Sequence, residues 1–126
     1  MDFLPDSNIL VNFFNGIEPD KGFLEKLIAV DSLHISSITI AEVLAKASTK
    51  EKEDLLKLCE LGQIELIDKG VVIIAGDYRK NFLQKKKKVY LLDCLIAATC
   101  KLHKLTLVTN NIKDYPMKDI KVVRPR

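Results

Sequence analysis

The stretch VYLLDCLIAATCKLHKLTLVTNN, residues 89–111, decides the fold class of this chain. Its first part, Val89–His103, has the apolar spacing of a buried helix, and Ala97 and Ala98 allow another element to pack closely against it. Its second part, Leu105–Thr109, is a short apolar run that predicts a buried strand ending at the two asparagines. A buried helix that leads directly into a buried strand is typical of α/β proteins with a parallel sheet.

The rest of the chain repeats this alternation of short apolar segments and helical patterns. Further strands are predicted near Phe3-Leu4, Leu33–Ile35, Ile64–Ile67 and Ile120–Val123. Helices are predicted for residues 8–15, for the segment after Pro19 that would bury Phe23, Leu24, Leu27 and Ile28, and for regions around Ala41–Ala45, Leu55–Leu61 and Val71–Leu83. The β-branched residues 71–74 alone would also fit a strand. Such regular alternation favours right-handed parallel crossovers, which collect functional groups at the carboxyl ends of the strands.

The composition is that of an ordinary folded protein. At 126 residues, with 48% hydrophobic and 29% charged residues, the chain predicts one domain that spans residues 1–126. The N-terminal MDFLPDSN lacks the basic start of a signal peptide, and no stretch approaches the ~18 apolar residues of a membrane span. The three cysteines form no CxxC pair. We therefore expect free thiols in a cytoplasmic protein that is neither exported nor membrane-embedded.

Three separated segments each place one acidic residue among apolar and small neighbours. PDSNILVNFF contains Asp6, SSITIAEVL contains Glu42 and LLDCLIAATC contains Asp93. A carboxylate in such surroundings is costly unless its charge is compensated, and three that converge would form a cation site. Asp6 ends the first predicted strand, and the other two are expected near helix starts, which face the same edge of a parallel sheet. We therefore expect the three carboxylates to meet in one cleft, beside the strand end Thr109–Asn111.

Each acidic residue also has a purely structural interpretation. Thr39–Glu42 fits a capping box, in which the glutamate bonds back to the start of its own helix. Asp93 would cap or favour the positive end of the helix that follows it, and Asp6 fits an Asx-turn or an N-cap. Ser7 and Asn8 would orient the aspartate before them or cap the first helix, and capping is the safer interpretation.

Several other kinds of site are excluded. His34 and His103 lack the mutual spacing of a zinc site. There is no G-x-S-x-G elbow, no P-loop and no G-x-G-x-x-G, which removes the usual serine hydrolases, NTPases and dinucleotide-binding proteins.

Basic charge is concentrated late in the sequence. Lys85, Lys86, Lys87 and Lys88 are consecutive, although the net charge of the whole chain is only +3. On its own such a run is best interpreted as a solvated loop, and it gains meaning only if it lies near the carboxylates.

Four motifs occur in a fixed order along nearly the whole chain, and together they carry a resemblance. PDSNILVNF is similar to a strand-end Asp-x-Asn motif, SSITIAEVL to a Ser/Thr-rich lead into a helical Glu, LLDCLIAATC to an Asp followed by an Ile-Ala-Ala helix, and LTLVTNNIKDYP to a closing Thr-x-Asn strand end. These are motifs of the PIN domain, and the chain particularly resembles the VapC toxins of bacterial and archaeal toxin-antitoxin pairs.

The resemblance implies both a fold and an activity. The fold is a three-layer α/β/α architecture with a central parallel sheet of four to five strands, and the activity is that of a Mg²⁺- or Mn²⁺-dependent endoribonuclease. Asp6, Glu42 and Asp93 match the three carboxylates that hold the metal in the family, and Asp114 matches a fourth, frequently acidic position. Asn110 stands where some relatives have an aspartate. Its carbonyl oxygen can coordinate but brings no charge, so a second metal site would be weak.

The family pattern also implies roles for single residues. Asp6 and Asp93 would bind the metal directly, while Glu42 would bind through a water or orient the nucleophile. Asp114 and Asn110 would support a second ion. Candidate contacts to the RNA are Ser7, Asn8, Thr109, Lys85, Lys86, Lys87 and Lys88, with an affinity that falls as salt rises. Thr109 would alternatively bond a ligand carboxylate or serve only as a strand-end hydroxyl.

Partners follow from the family likeness as well. VapC-type proteins are usually homodimers that a small VapB-like antitoxin inhibits by inserting a segment near the active site. Candidate interface positions are Phe13, Phe14, Phe23 and Leu27, for which core packing is the simpler use.

Two other functions remain open. A PIN-like domain with an incomplete site would be an RNA-binding or assembly module without cleavage, and Asn110 favours this alternative. A phosphatase with an aspartyl nucleophile would need a D-x-D motif, whereas Asp6 is followed by Ser7 and Asn8.

Overall fold

Five short strands alternate with six helices, and the computed structural model describes all 126 residues. The strands are β1 (Phe3–Pro5), β2 (His34–Ser36), β3 (Gln63–Glu65), β4 (Thr106–Val108) and β5 (Val122–Val123). The helices are α1 (Ser7–Phe14), α2 (Asp20–Ala29), α3 (Ser37–Leu44), α4 (Thr49–Leu61), α5 (Lys69–Gln84) and α6 (Leu91–His103), with a short 3₁₀ turn at Ile112–Asp114. None of the helices combines the length and the apolar character that crossing a membrane requires.

All strand pairs are parallel. β4 lies between β1 and β5 in a three-stranded sheet, and β2 pairs with β3 in a two-stranded sheet. A parallel bridge between Phe3 and Leu33 joins the two sheets, so the strands follow the order β3-β2-β1-β4-β5. β2 and β3 therefore lie on one side of β1, whereas β4 and β5, which come later in the sequence, lie on the other side. This change of side puts the crevice of the sheet at the carboxyl ends of β1 and β4.

Two groups of buried apolar residues cover opposite faces of the strands. One group lies under α5 and α6 and includes Leu4, Ile96 and Leu107, while the other lies under α1 to α4 and includes Leu24 and Val108. Leu107 and Val108 are neighbours in β4 and join different groups because successive side chains of a strand point to opposite faces. The predicted α/β class, with helices on both sides of parallel strands, is confirmed.

α5 is helical throughout, although its first turns are rich in β-branched residues. Asp68 caps the helix, because its Oδ1 accepts a hydrogen bond from the N–H of Val71 at 3.0 Å. Val71 and Ala75 are buried one turn apart, whereas Val72 and Ile73 are exposed. A strand would have buried alternate residues instead, so the helix prediction is confirmed.

The capping box predicted for α3 is wrong. Ser36 caps this helix, since its hydroxyl accepts a hydrogen bond from the N–H of Ile38 at 3.2 Å. Thr39 is fully buried within the first turn, and Glu42 is the sixth of the 8 residues of α3. The prediction that Glu42 lies near a helix start is therefore also wrong. Its carboxylate is free of any capping role.

Candidate functional site

A cavity of about 310 Å³ lies at the carboxyl end of β1 and collects the predicted acidic residues. The carboxylates of Asp6, Glu42, Asp93 and Asp114 all line it. The remaining lining residues are Ser7, Asn8, Lys46, Ile96, Asn111 and Tyr115. These residues come from α1, α3, α6 and the segment after β4, so tertiary structure alone brings them together.

Asp6 is the most firmly held of the four acids. It directly follows β1, and its Oδ1 accepts a hydrogen bond from the N–H of Ile9 at 3.1 Å. Its Oδ2 accepts a hydrogen bond from the hydroxyl of Thr109, which follows β4. Burial raises the pKa of Asp6, and the bonds from Thr109 and from the helix N–H groups lower it. Asp6 is thus the N-cap of α1 and a wall of the cavity at the same time.

Glu42 reaches the cavity from the outer side of α3. The buried side chains of this helix are Thr39 and Val43, which leaves Glu42 on the exposed side at the cavity rim. Partial burial raises the pKa of its carboxyl, and the charges of Asp93 and Asp6 raise it further. Lys46 acts in the opposite direction. Lys46 is the one cationic residue of the lining.

Asp93 lies in the first turn of α6 and faces a buried phenol. The cap residue of α6, Tyr90, makes no side-chain capping bond, and the carboxyl of Asp93 instead faces the hydroxyl of Tyr115 in the cavity lining. Burial raises the pKa of Asp93, the neighbouring hydroxyl of Tyr115 lowers it, and the charges of Asp114 and Asp6 raise it. Burial and the surrounding carboxylates also raise the pKa of Tyr115, so the phenol keeps its proton and remains a donor.

The donor set fits a hard divalent cation. All four acidic groups offer carboxylate oxygens, and no histidine or cysteine lines the cavity, which suits Mg²⁺ or Mn²⁺ and not softer metals. The carboxylates line the cavity without closing into one coordination sphere. Burial raises the pKa values of Asp6, Glu42 and Asp93, and neighbouring carboxylates raise them further. A bound dication would offset both the loss of hydration and the repulsion.

Residues 3–120 match the family model described as PIN domain. The chain belongs to the PIN domain family. The resemblance stated from four sequence motifs is therefore confirmed, and it extends over nearly all of the strands and helices described above.

Curated and solved relatives of this PIN domain carry VapC and toxin-antitoxin names. Ribonuclease VapC2 of Rickettsia felis is 33% identical over 122 residues, which cover 91% of this chain and 90% of that protein. A solved toxin-antitoxin complex from Klebsiella pneumoniae contains a chain that is 29% identical, with a TM-score of 0.79 and coverage of 99% of this chain and 98% of that one. The crystal structure of VapBC2 from Rickettsia felis bound to a DNA fragment from their promoter has a TM-score of 0.85 at 24% identity, with both chains fully covered (100% each).

Asn110 lies apart from the four acids in this PIN domain. Its side-chain N–H donates a hydrogen bond to Oδ2 of the buried Asp20 at 2.9 Å, and Asn12 donates to the same oxygen at 2.7 Å. Its neighbour Asn111 lines the cavity instead. Thr109 does not line the cavity either. The Thr109 hydroxyl instead donates a hydrogen bond to Asp6 and accepts one from the N–H of Asn111 at 3.0 Å.

Ser7 and Asn8 occupy the first turn of α1 and both line the cavity. The interpretation that one of them caps α1 is wrong, because Asp6 supplies the cap. Sequence reasoning missed Tyr115 and Lys46 as members of this lining. The only hint for Tyr115 in the sequence is its position directly after Asp114. Nothing in the sequence around Lys46 indicates that it lines the cavity.

The lysine run lies between α5 and α6 and is fully exposed. None of its four members lines the carboxylate cavity. Because α6 begins with the turn that carries Asp93, the run is nevertheless at the same end of the molecule as the acids.

The two histidines meet around one glutamate. Nδ1 of His34 lies 2.8 Å from Oε1 of Glu65, and Nε2 of His103 lies 3.4 Å from Oε2 of the same residue. Nε2 of His34 also lies 3.3 Å from Asp2. None of these residues lines the carboxylate cavity, so the group braces the fold and takes no part in the candidate site.

Proposed function

We propose that this PIN domain is a metal-dependent endoribonuclease that hydrolyses phosphodiester bonds of RNA. The observation that carries the proposal is the cavity lined by Asp6, Glu42, Asp93 and Asp114. Relatives named ribonuclease, at up to 33% identity, support RNA as the substrate class.

The four acids would divide the work of holding Mg²⁺ or Mn²⁺. Asp6 and Asp93 would be the direct ligands, because hydrogen-bond donors fix the carboxylate of Asp6 and the hydroxyl of Tyr115 faces that of Asp93. Glu42 at the rim would bind through a water or orient the attacking water, and Asp114 would support a second ion. A bound divalent ion supplies Lewis acidity, which lowers the pKa of a water and offsets charge on the phosphate in an in-line displacement.

The same chain is proposed to be the toxin of a VapBC-type pair and to form a homodimer. The solved relative at 29% identity comes from a toxin-antitoxin complex, which supports an antitoxin partner. Among the predicted interface positions, Leu27 is buried in the core and Phe23 packs edge-on against Phe3. Phe13 and Phe14 remain available, since they line an open, mainly apolar groove of about 330 Å³. The other lining residues of this groove are Ile28, Leu58, Leu61, Asp54 and Lys57.

Cleavage of a labelled single-stranded RNA tests the proposal. The wild-type protein should cut it in Mg²⁺ or Mn²⁺ and stop in EDTA, and Asp93→Asn should be inactive because it removes a ligand charge. Asp77→Asn, purified in parallel, is the matched control, because Asp77 is exposed on α5 and lies outside the carboxylate cavity. Equal cleavage by Asp93→Asn and wild type would point to a contaminating nuclease. Binding of several RNA pools without cleavage of any would replace the enzyme with an RNA-binding module.

A further inference from the structure

A second cavity, of about 340 Å³, lies between the last turns of α5 and the segment that precedes β5. Two members of the lysine run, Lys85 and Lys87, line it together with Lys118. The other lining residues are Tyr78, Asn81, Phe82, Pro116, Met117 and Asp119. The basic run is therefore shared between two cavities, because Lys86, Lys87 and Lys88 line a different, smaller cavity beside Arg79, and Lys87 borders both cavities.

The charges of this second cavity are not balanced internally. Its single acid, Asp119, already accepts a hydrogen bond from the hydroxyl of Tyr78 at 2.7 Å and lies 3.6 Å from the ammonium of Lys101. Lys85, Lys87 and Lys118 form no salt bridge within 4.0 Å. Three free ammonium groups around a cavity attract an anion with several oxygens, and a phosphate group has that chemistry.

The two cavities are neighbours along the chain. Tyr115 lines the carboxylate cavity, and the next residue, Pro116, lines the basic one. A polymer with a phosphate at every unit can place one phosphate among the carboxylates and another among the lysines at the same time. Attraction at the second position also offsets the repulsion that the acids exert on an approaching polyanion.

We propose that the cavity of Lys85, Lys87 and Lys118 is a phosphate subsite for the RNA chain beyond the cleaved bond. This inference rests on the proposed ribonuclease function, whose cavity it adjoins. It assigns RNA binding to alternate lysines of the run and adds Lys118, which lies more than thirty residues away in the sequence.

Charge-matched double variants test the subsite. The affinity of the protein for a fluorescent twelve-nucleotide RNA is measured in EDTA over a salt series, so that no cleavage occurs. Lys85→Gln/Lys87→Gln should weaken binding about tenfold and reduce the slope of log affinity against log salt by about 1.4, since each single-strand phosphate contact contributes ~0.7. Lys86→Gln/Lys88→Gln removes the same charge from the same loop and should change the affinity no more than about twofold. All four side chains are exposed, so neither pair should disturb folding.

A third variant tests the part of the subsite that lies outside the lysine run. Lys118→Gln alone should weaken binding of the twelve-nucleotide RNA about threefold, because it removes one of the three ammonium groups of the cavity. Equal losses in the two double variants, or no loss in Lys85→Gln/Lys87→Gln, would overturn the subsite. Because the assay contains no metal, it decides on the subsite even if the wild-type protein cuts no RNA.

Discussion

The hydroxyl of Thr109 donates a hydrogen bond to Oδ2 of Asp6, across 103 residues of sequence. The contact links the carboxyl ends of β1 and β4, which are neighbouring parallel strands. The strands β2 and β3, which come between them in the sequence, lie on the other side of β1. It also holds one oxygen of a buried carboxylate while the N–H of Ile9 holds the other. A residue that never touches the cavity thereby orients an acid of the candidate site.

Thr109→Val should destabilise the protein and weaken metal binding together. The variant removes a donor from a buried carboxylate, which costs about 1–3 kcal/mol of the free energy of unfolding, and it raises the pKa of Asp6 further because the lost bond lowers it. Urea denaturation and Mn²⁺ titration at pH 7 measure the two effects. Thr109→Ser, which keeps the hydroxyl, should behave nearly as wild type. Equal losses in both variants would show that packing of the methyl group matters and not the hydrogen bond.

Asp93→Asn should make the metal-free protein more stable while it removes activity. Burial and neighbouring carboxylates raise the pKa of Asp93, so the folded state retains a proton that the unfolded chain releases just above the ordinary pKa of ~3.9. The free energy of unfolding therefore declines as pH rises from the ordinary pKa through the raised pKa of Asp93. Asparagine carries no ionisable group, so the variant keeps the stability that the wild-type protein loses. In EDTA, its advantage in Tm should be absent near pH 4 and reach a few degrees at pH 7. An advantage that is independent of pH would contradict the charge argument.

Tyr115→Phe should lower metal affinity without a comparable loss of fold. The phenol faces the carboxyl of Asp93 and lowers its pKa, and loss of such an outer partner typically weakens metal binding about 10–100-fold. Isothermal titration with Mn²⁺ measures the change. Tyr78→Phe is the matched control, because it removes a phenol that bonds to Asp119, outside the carboxylate cavity. A Tyr115→Phe protein that binds Mn²⁺ as tightly as wild type would exclude the orienting role.

Lys46→Gln should change the affinities for metal and RNA in opposite directions. Lys46 is the one cation that lines the carboxylate cavity, so its removal increases the negative potential there and should tighten Mn²⁺ binding about two- to fivefold. The same change should weaken binding of RNA in EDTA about threefold, because a positive charge near the approaching phosphate is lost. Lys50→Gln removes a lysine that is paired with Asp54 on the surface of α4 and should alter neither affinity. Parallel changes in both affinities would rule out this electrostatic account.

The acids could be predicted from sequence because each of them breaks an apolar pattern. Asp6, Glu42 and Asp93 stand out among small and apolar neighbours, and the order of strands and helices already suggested a common edge. The pattern could not decide whether an aspartate that caps a helix also lines the site. Asp6 caps α1 and lines the cavity at once, because its two oxygens face different donors.

The helix start of α3 shows why local rules were insufficient. Ser36, Ser37 and Thr39 can all cap a helix, and the sequence does not say which one does. The choice falls on Ser36 because it ends β2, which pairs with β3 and so holds the chain extended up to that residue. Three residues of difference in the cap remove Glu42 from a capping box and leave its carboxylate at the cavity.

Residues that act through distant contacts were beyond prediction. Nothing near Tyr115 in the sequence indicates that it faces Asp93, and Asn110 and Asn111 are identical in type but point to different partners. The backbone at the end of β4 makes that distinction. The lysine run likewise borders two cavities, with Lys87 common to both, only because the segment 116–119 packs beside the end of α5.

Counting bound Mn²⁺ tests most directly whether Asp6 and Asp93 hold a divalent cation in the carboxylate cavity. Electron paramagnetic resonance of free Mn²⁺ during titration gives affinity and stoichiometry without any assumption about the substrate. We predict saturable binding by the wild-type protein that is lost or weakened at least about tenfold in Asp6→Asn and Asp93→Asn, while Asp119→Asn binds as wild type does. Two results would contradict this assignment. One is indistinguishable Mn²⁺ binding by all four proteins, and the other is no binding by the wild-type protein at millimolar Mn²⁺.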